Sequence, residues 1–150
     1  MRLKSILFAA FATFAAITLC HAGSPQRPLN LKATAATDTD EVHPDSVFDV
    51  TLTLENPTAY VQSIRIPDCG WDRTWRSSNR HATWDPWDCD SNDQVTIQIQ
   101  PHRSYVFPKP IRMFINGIDK ERKLEFKMGF RPAAFGKIIW SNPIALDVTP

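Results

Sequence analysis

Apolar and polar residues alternate along most of this chain, which predicts β-strands rather than helices. The clearest case runs from Phe48 to Leu54, where the polar residues Asp49, Thr51 and Thr53 separate the apolar ones. Such alternation buries one face of a strand and exposes the other. Similar segments recur at residues 29–33, 64–66, 95–100, 105–107, 111–115, 124–130 and 144–148.

Proline, asparagine and glycine separate these segments. Asn56-Pro57-Thr58 ends the 48–54 segment, Pro101 begins a turn before Tyr105, and Arg131-Pro132 ends the 124–130 segment. About seven short strands with such punctuation predict one all-β domain, built as an antiparallel β-sandwich. A closed barrel is the alternative, but the irregular connections favour two packed sheets.

The first 22 residues have a different character. Arg2 and Lys4 precede an apolar run over residues 6–19, and Ala22 offers a small residue for cleavage. This predicts a secretory signal peptide, residues 1–22, that is too short to span a membrane. A lipoprotein with an acylated Cys20 is the alternative, although Leu19 stands where a small residue is usual. We therefore expect a secreted or periplasmic domain over residues 23–150, with no membrane span.

Charge and cysteine content restrict the function further. The chain of 150 residues has a formal net charge of +1, and the signal peptide carries two of its positive charges. A nearly neutral mature chain argues against nucleic acid as a partner. Cys69 and Cys89 remain, and in an oxidising compartment we predict that they pair. Closing this loop would stabilise the fold by about 3 kcal/mol.

The segment between these cysteines, residues 69–89, holds four of the five tryptophans, interleaved with arginine and aspartate. We call it the Trp-rich segment. Trp and Arg are enriched at binding hot spots, and a disulfide-closed loop loses little entropy when it binds. We predict a binding loop with contact residues Trp75, Arg76, Trp84, Asp85 and Trp87.

Three interpretations of this loop compete: a buried mini-core, a protein-binding face, and a carbohydrate site where an indole stacks on a sugar ring. A turn at Pro86 would place Trp84 and Trp87 near the loop tip, so we expect both to be exposed. Trp71, beside Cys69, should be buried. Trp140 lies outside the loop and directly before a strand, so we expect it in the core.

Residues 88–93 resemble the start of a calcium loop, but Asp93 stands where the turn glycine belongs and Ile99 where the closing glutamate belongs. We interpret these polar side chains as caps of the turn before Val95. The sequence therefore predicts neither a metal site nor another cofactor.

No catalytic motif is evident. His43, His81 and His102 lack a second histidine at ligand spacing, and the sequence has no zinc-protease motif, nucleophile elbow or phosphate-binding glycine loop. Asp72 and Asp85 could form the carboxylate pair of a glycosidase, but nearby arginines would keep both ionised. We predict no catalytic residues and a protein that is not an enzyme.

The run from Phe48 to Thr58 resembles the second strand and following turn of immunoglobulin-like sandwiches in secreted bacterial proteins. Residues 95–105 are similar to later strands of such domains. The Cys…Trp…Cys layout of antibody domains is not matched, so the resemblance implies a fold and no functional residues. The sequence thus predicts a secreted immunoglobulin-like binding module with a protein partner, of inhibitor or immunity type. A carbohydrate-binding module is the alternative.

Overall fold

The chain is nearly all β in the computed structural model. Its predicted signal peptide, residues 1–22, lies outside the described residues. A short 3-10 helix, Trp71–Thr74, is the only helix that the described residues contain. The structure describes residues 28–91, 93–118, 123–132 and 136–150. The thirteen strands are β1 (Lys32–Ala36), β2 (Glu41–Val42), β3 (Val47–Glu55), β4 (Gln62–Pro67), β5 (Trp75–Ser77), β6 (Ala82–Thr83), β7 (Gln94–Ile99), β8 (Ser104–Val106), β9 (Ile111–Ile115), β10 (Lys123–Phe126), β11 (Met128–Phe130), β12 (Ile139–Trp140) and β13 (Ile144–Val148).

Strand β3 is the centre of the largest sheet and confirms the clearest alternation in the sequence. Its apolar residues Phe48, Val50, Leu52 and Leu54 are all buried, as the predicted period of two requires. Strand β1 pairs with one edge of β3, while β8 and β9 both pair with the other edge. All these pairs are antiparallel, as predicted; the pairing of β2 with β13 is parallel.

A bulge separates β8 from β9. Thr53 lies opposite Val106 and Val50 lies opposite Ile111, so three steps along β3 (53 to 50) correspond to five along its partner (106 to 111). The two extra residues belong to segment 107–110, which we call the bulge. Phe107 N–H still donates to the Leu52 carbonyl oxygen at 3.0 Å. Pro108 and Pro110 cannot donate ladder hydrogen bonds, so pairing with β3 is interrupted until Ile111.

A second group of strands runs beside the first. β10 and β11 are separated by Lys127 alone, and they pair antiparallel with β13 and β12 respectively. Between β12 and β13, Asn142 turns its side-chain amide toward β1 and exchanges two hydrogen bonds of 3.0 Å with the backbone of Ala35. This amide therefore bonds both backbone polar groups of Ala35 on the edge of β1 that faces away from β3. It joins β1 to the second group of strands.

The Trp-rich segment is not the single long loop that the sequence predicted. It is inserted between β4 and β7, which pair antiparallel, and it contributes two short strands to other sheets. β5 pairs with β11, and β6 pairs with β9. Strands of three and two residues are too short to show a periodicity, so only tertiary pairing reveals them.

The turn at Asn56 is confirmed as the end of the 48–54 strand. Asn56 is fully buried, and its Nδ2 donates hydrogen bonds to the carbonyl oxygens of Tyr60, Ile99 and Gln100 at 2.8, 2.9 and 3.1 Å. Its Oδ1 accepts from the backbone N–H and the hydroxyl of Thr58, at 3.0 and 2.7 Å. One amide thus holds this turn against the end of β7.

Replacing Asn56 with alanine should lower the free energy of unfolding by about 2–3 kcal/mol, because buried carbonyl groups lose their donors. Asn116→Ala is the matched control: Asn116 is exposed and donates from Nδ2 to Thr83 Oγ1 at 2.8 Å, so its loss should cost about 1 kcal/mol or less. Urea denaturation followed by circular dichroism measures both. Equal losses would contradict the structural role of Asn56.

Candidate functional site

A disulfide closes the Trp-rich segment. Cys69 and Cys89 are bonded, with their Cα atoms 5.9 Å apart, so the predicted pairing is confirmed. Gly70 follows Cys69 and caps the 3-10 helix, where Thr74 Oγ1 donates to the carbonyl oxygen of Trp71 at 2.6 Å. The helix turns the chain back toward the sheets, where β5 begins.

Two side chains of this helix hold the far end of the segment. Asp72 is fully buried, and its Oδ2 accepts a hydrogen bond from the Trp87 backbone N–H at 3.1 Å. Arg73 Nη2 donates to the Trp87 carbonyl oxygen at 3.2 Å. Both backbone polar groups of Trp87, the N–H and the carbonyl, are therefore hydrogen-bonded. Asp72 is buried, while Asp85 is exposed.

The four tryptophans of the segment divide into two pairs. Trp71 and Trp75 are 4% and 2% exposed, and both contact Phe107, with ring centroids 4.5 and 5.4 Å apart. Trp84 and Trp87 are half-buried and pack on the same core. The expectation that Trp71 is buried is confirmed. The mini-core interpretation therefore holds for Trp71 and Trp75, but not for Trp84 and Trp87.

Two expectations about these tryptophans are corrected. Trp75 was predicted to contact a partner, but β5 pairs with β11 and directs Trp75 inward, where its ring lies 5.3 Å from that of Phe130. Trp84 and Trp87 were predicted to be exposed at a loop tip. Instead Trp87 meets Trp71 edge to face, with ring centroids 4.8 Å apart, because Asp72 and Arg73 draw its backbone inward.

A cleft of about 500 Å³ opens beside the 84–87 turn. Pairing of β6 with β9 places this turn next to the bulge, since Thr83 lies opposite Phe114. The two walls are thus the turn itself and the region where β9 leaves the bulge. The cleft is lined by Asp49, Trp84, Asp85, Trp87, Lys109, Pro110, Arg112 and Phe114.

The cleft carries both signs of charge around aromatic rings. Lys109, at the outer end of the bulge, places its Nζ 5.8 Å from the centre of the Trp87 ring, within cation–π range. Arg112 Nε lies 3.8 Å from Asp49 Oδ1, and both side chains are largely exposed. Asp85 adds a second carboxylate on the opposite wall. The cleft can therefore offer hydrogen bonds and ion pairs of either polarity.

A second depression of about 420 Å³ also has Trp84 in its lining. Arg76, Arg80, Thr83 and Pro86 are among the residues that line it, together with the buried Trp75. Of the five predicted contact residues, Trp84, Asp85 and Trp87 thus line the cleft. Arg76 joins them only through the depression that it shares with Trp84.

Sequence analysis missed the opposite wall of the cleft. Lys109, Pro110 and Arg112 are far from the Trp-rich segment in sequence, and only the β6–β9 pairing brings them together. A local signal existed: Pro108-Lys109-Pro110 interrupts two strand patterns, and paired prolines at such a point indicate a bulge. Bulges often direct side chains into sites.

The turn before β7 shows the polar caps that the sequence predicted. Ser91 Oγ donates to Asp93 Oδ2 at 2.9 Å and accepts from the Asp93 backbone N–H at 3.1 Å. The Asp93 carbonyl accepts from the Asp68 N–H at 2.9 Å, which continues the β4–β7 ladder. Within the described parts of the chain, no three His, Cys, Asp or Glu side chains are grouped so that they could hold a metal ion.

Comparison with known proteins adds no functional assignment. A scan against protein-family models gives no match, and a search of curated proteins gives no significant match. The resemblance to immunoglobulin-like sandwiches therefore stays a prediction, and no residue role is transferred from a relative. In the part of the chain that the structure describes, no helix is long and apolar enough to cross a membrane.

The disulfide yields a first prediction for this site. In exported protein, titration of the unfolded, unreduced chain should find no free thiol at Cys69 or Cys89. The double variant Cys69→Ser/Cys89→Ser should lower the free energy of unfolding by about 3 kcal/mol, because the unfolded chain regains loop entropy. Two reactive thiols per exported chain would contradict the pairing and the rigid segment that depends on it.

The division of the tryptophans yields a second prediction. Trp71→Ala and Trp75→Ala should each lower the free energy of unfolding by about 3–5 kcal/mol, because each leaves a cavity in the core. Trp84→Ala and Trp87→Ala remove half-buried rings and should cost about 1–2 kcal/mol. Chemical denaturation of the four variants measures the difference. Losses of the same size in all four would mean that the segment is core throughout.

Proposed function

We propose that this protein is a non-catalytic binding module that recognises a protein partner through the cleft between the 84–87 turn and the bulge. The observation that carries the proposal is the pre-ordered geometry of the cleft. Trp84 and Trp87 pack on the core, and the disulfide closes the segment that carries them. The Trp87 backbone also donates to Asp72 and accepts from Arg73. A surface that is already rigid loses little entropy on binding.

The chemistry of the cleft suits a protein segment. Hot spots at protein interfaces combine tryptophan with arginine in partly enclosed positions, surrounded by polar groups. The cleft offers Trp84, Asp85 and Trp87 on one wall, with Lys109 and Arg112 on the other. A partner can insert an apolar side chain between the walls and pair its own charges with both signs.

Carbohydrate binding at this cleft is the weaker candidate. Stacking on a sugar requires an open indole face, but Trp87 already has Lys109 over its ring and meets Trp71 in an edge-to-face contact. A sugar ring would have to displace the lysine and lose its cation–π contact. The protein partner is therefore favoured over the glycan at this position.

The rigidity of the cleft surface indicates the type of partner. A pre-ordered, disulfide-closed surface suits a protein that covers and blocks another protein, as inhibitors and immunity proteins do, because such complexes form with little backbone change. In this proposal the partner is an enzyme or toxin of the same extracytoplasmic compartment. Export through the signal peptide at residues 1–22 belongs to the same proposal, and the disulfide supports it because such bonds persist in oxidising compartments.

We infer that the small sheets are the two layers of an immunoglobulin-like sandwich. Three pairs of consecutive strands (β8 with β9, β10 with β11, β12 with β13) are single runs broken by short interruptions, so ten of the thirteen strands reduce to seven runs. β2, β5 and β6 are additions. The rings of Phe48 on β3 and Phe126 on β10 lie 6.0 Å apart, which supports packing of one layer on the other.

The partner can be captured from the culture supernatant of the organism that encodes the chain, with the purified mature protein as bait. Trp84→Ala and Asp85→Lys should each reduce capture, and with an isolated partner each should weaken affinity by about 2 kcal/mol or more, since both act at the centre of the contact. Calorimetry with the identified partner measures this loss.

Asp147→Lys is the matched control, because it makes the same charge change on β13 and breaks only an exposed ion pair with Lys123, at 3.8 Å. Retained binding in this variant, with loss in the two cleft variants, supports the proposal. A captured partner that binds Trp84→Ala as strongly as wild type would overturn it.

A further inference from the structure

Trp140 lies on an exposed sheet face, which corrects the expectation that it is in the core. It is 43% exposed and belongs to β12. The register of the three strands places Arg76 of β5 opposite Gly129 of β11, and Gly129 opposite Trp140. Residues directly opposite one another share a face of a sheet. Arg76 and Trp140 therefore flank Gly129 on the same outer face.

Because Gly129 has no side chain, the indole of Trp140 can pack directly on its backbone. A Cβ atom at this position would lie 2.6 Å from Trp140 Cζ3 and 2.6 Å from Ile138 Cγ2, far inside van der Waals contact. The six-membered part of the indole therefore lies against the bare backbone of β11. One side of the ring is backed by the sheet and the ring remains partly open to solvent.

Two cationic side chains lie next to β11, one before it and one after it. Backbone hydrogen bonds continue the β5–β11 ladder beyond its ends, from Ser78 N–H to the Lys127 carbonyl at 2.9 Å and from Arg131 N–H to the Thr74 carbonyl at 2.8 Å. Lys127 and Arg131 are thus two residues before and after Gly129, just outside β11, and the alternation of the chain places both on its outer face.

The resulting face carries three positive charges on the same side of the sheet as the Trp140 indole. Arg76 and Lys127 are exposed, and Arg131 is half-buried. Strand spacing puts Arg76 about 10 Å from Trp140 across the sheet, and the two other cations about 7 Å along it from Gly129. Glu125 is the next outward position beyond Lys127, and it lies on the side away from Arg131.

We infer that this face binds an acidic polysaccharide, with Trp140 stacking on a sugar ring and the three cations pairing with uronate carboxylates. Charge complementarity selects an anionic ligand, and a rigid, backed indole on a sheet surface selects one that presents flat rings. Single-stranded nucleic acid would call for a series of stacking aromatics along a groove, and an acidic peptide has no need of the indole.

This inference is independent of the proposed protein-binding cleft. Trp140 and Lys127 do not line that cleft or the depression beside it. Arg76 lies at the border between the two surfaces and is left unchanged in the test. Failure of glycan binding would thus leave the proposed protein partner unaffected, and the reverse also holds.

The test is calorimetric titration of the purified mature protein with a galacturonate hexamer, and with its fully methyl-esterified form as the neutral control. Wild type should bind the acid form and not the ester, and binding should weaken as salt is raised. Trp140→Ala should weaken affinity by roughly tenfold or more, the loss expected for one stacked ring. Lys127→Gln, an exposed change that leaves the fold intact, should weaken it by about threefold to tenfold.

Lys32→Gln removes a matched exposed lysine from β1 and should bind the hexamer like wild type. Equal affinity for the acid and the ester, unchanged affinity in both Trp140→Ala and Lys127→Gln, or stronger binding of poly-glutamate or single-stranded DNA than of the hexamer would each overturn the inference.

Discussion

The burial of Trp75 between Phe107 and Phe130 is the contact on which the organisation of both surfaces depends. Complete burial of an indole removes about 200 Å² of apolar surface from water, which corresponds to about 5 kcal/mol. Trp75 belongs to β5, Phe107 to the bulge and Phe130 to β11. A single aromatic cluster therefore fixes the Trp-rich segment against two sheets and holds the base of the bulge inward.

This aromatic cluster also positions the two walls of the cleft. With Phe107 buried, the rest of the bulge must project, and Lys109 reaches the ring of Trp87. With β5 fixed, the chain continues into β6, which pairs with β9. The 84–87 turn that follows β6 therefore lies beside the bulge. Asp72 then completes the arrangement by binding the Trp87 N–H. Its Oδ2 accepts a backbone hydrogen bond that would otherwise be lost, while its buried Oδ1 has no hydrogen-bond partner among the described residues.

The short strand β5 contributes to the core with one face and to the protein surface with the other. Its inward residue, Trp75, builds the core, while its outward residue, Arg76, lies across from Gly129 and Trp140. A three-stranded patch is thus created where the Trp-rich segment joins the sheet. The cleft and the Trp140 face are adjacent parts of one surface, but different chemistry defines them: enclosed rings with mixed charge in the first, and a single backed ring with positive charge in the second.

The sequence by itself determined the all-β class, the long strands, the turn at Asn56, the disulfide and the burial of Trp71, because period-two alternation, turn residues and paired cysteines act over short distances. It located the Trp-rich segment as the unusual region but placed Trp75 outside, and Trp140 inside. The fates of those two tryptophans depend on which strand lies next to them: β11 directs Trp75 inward, and Gly129 leaves room for Trp140 outside. Only the tertiary structure decides such pairings, since strands of two or three residues gain their stability from their neighbours rather than from their own sequence.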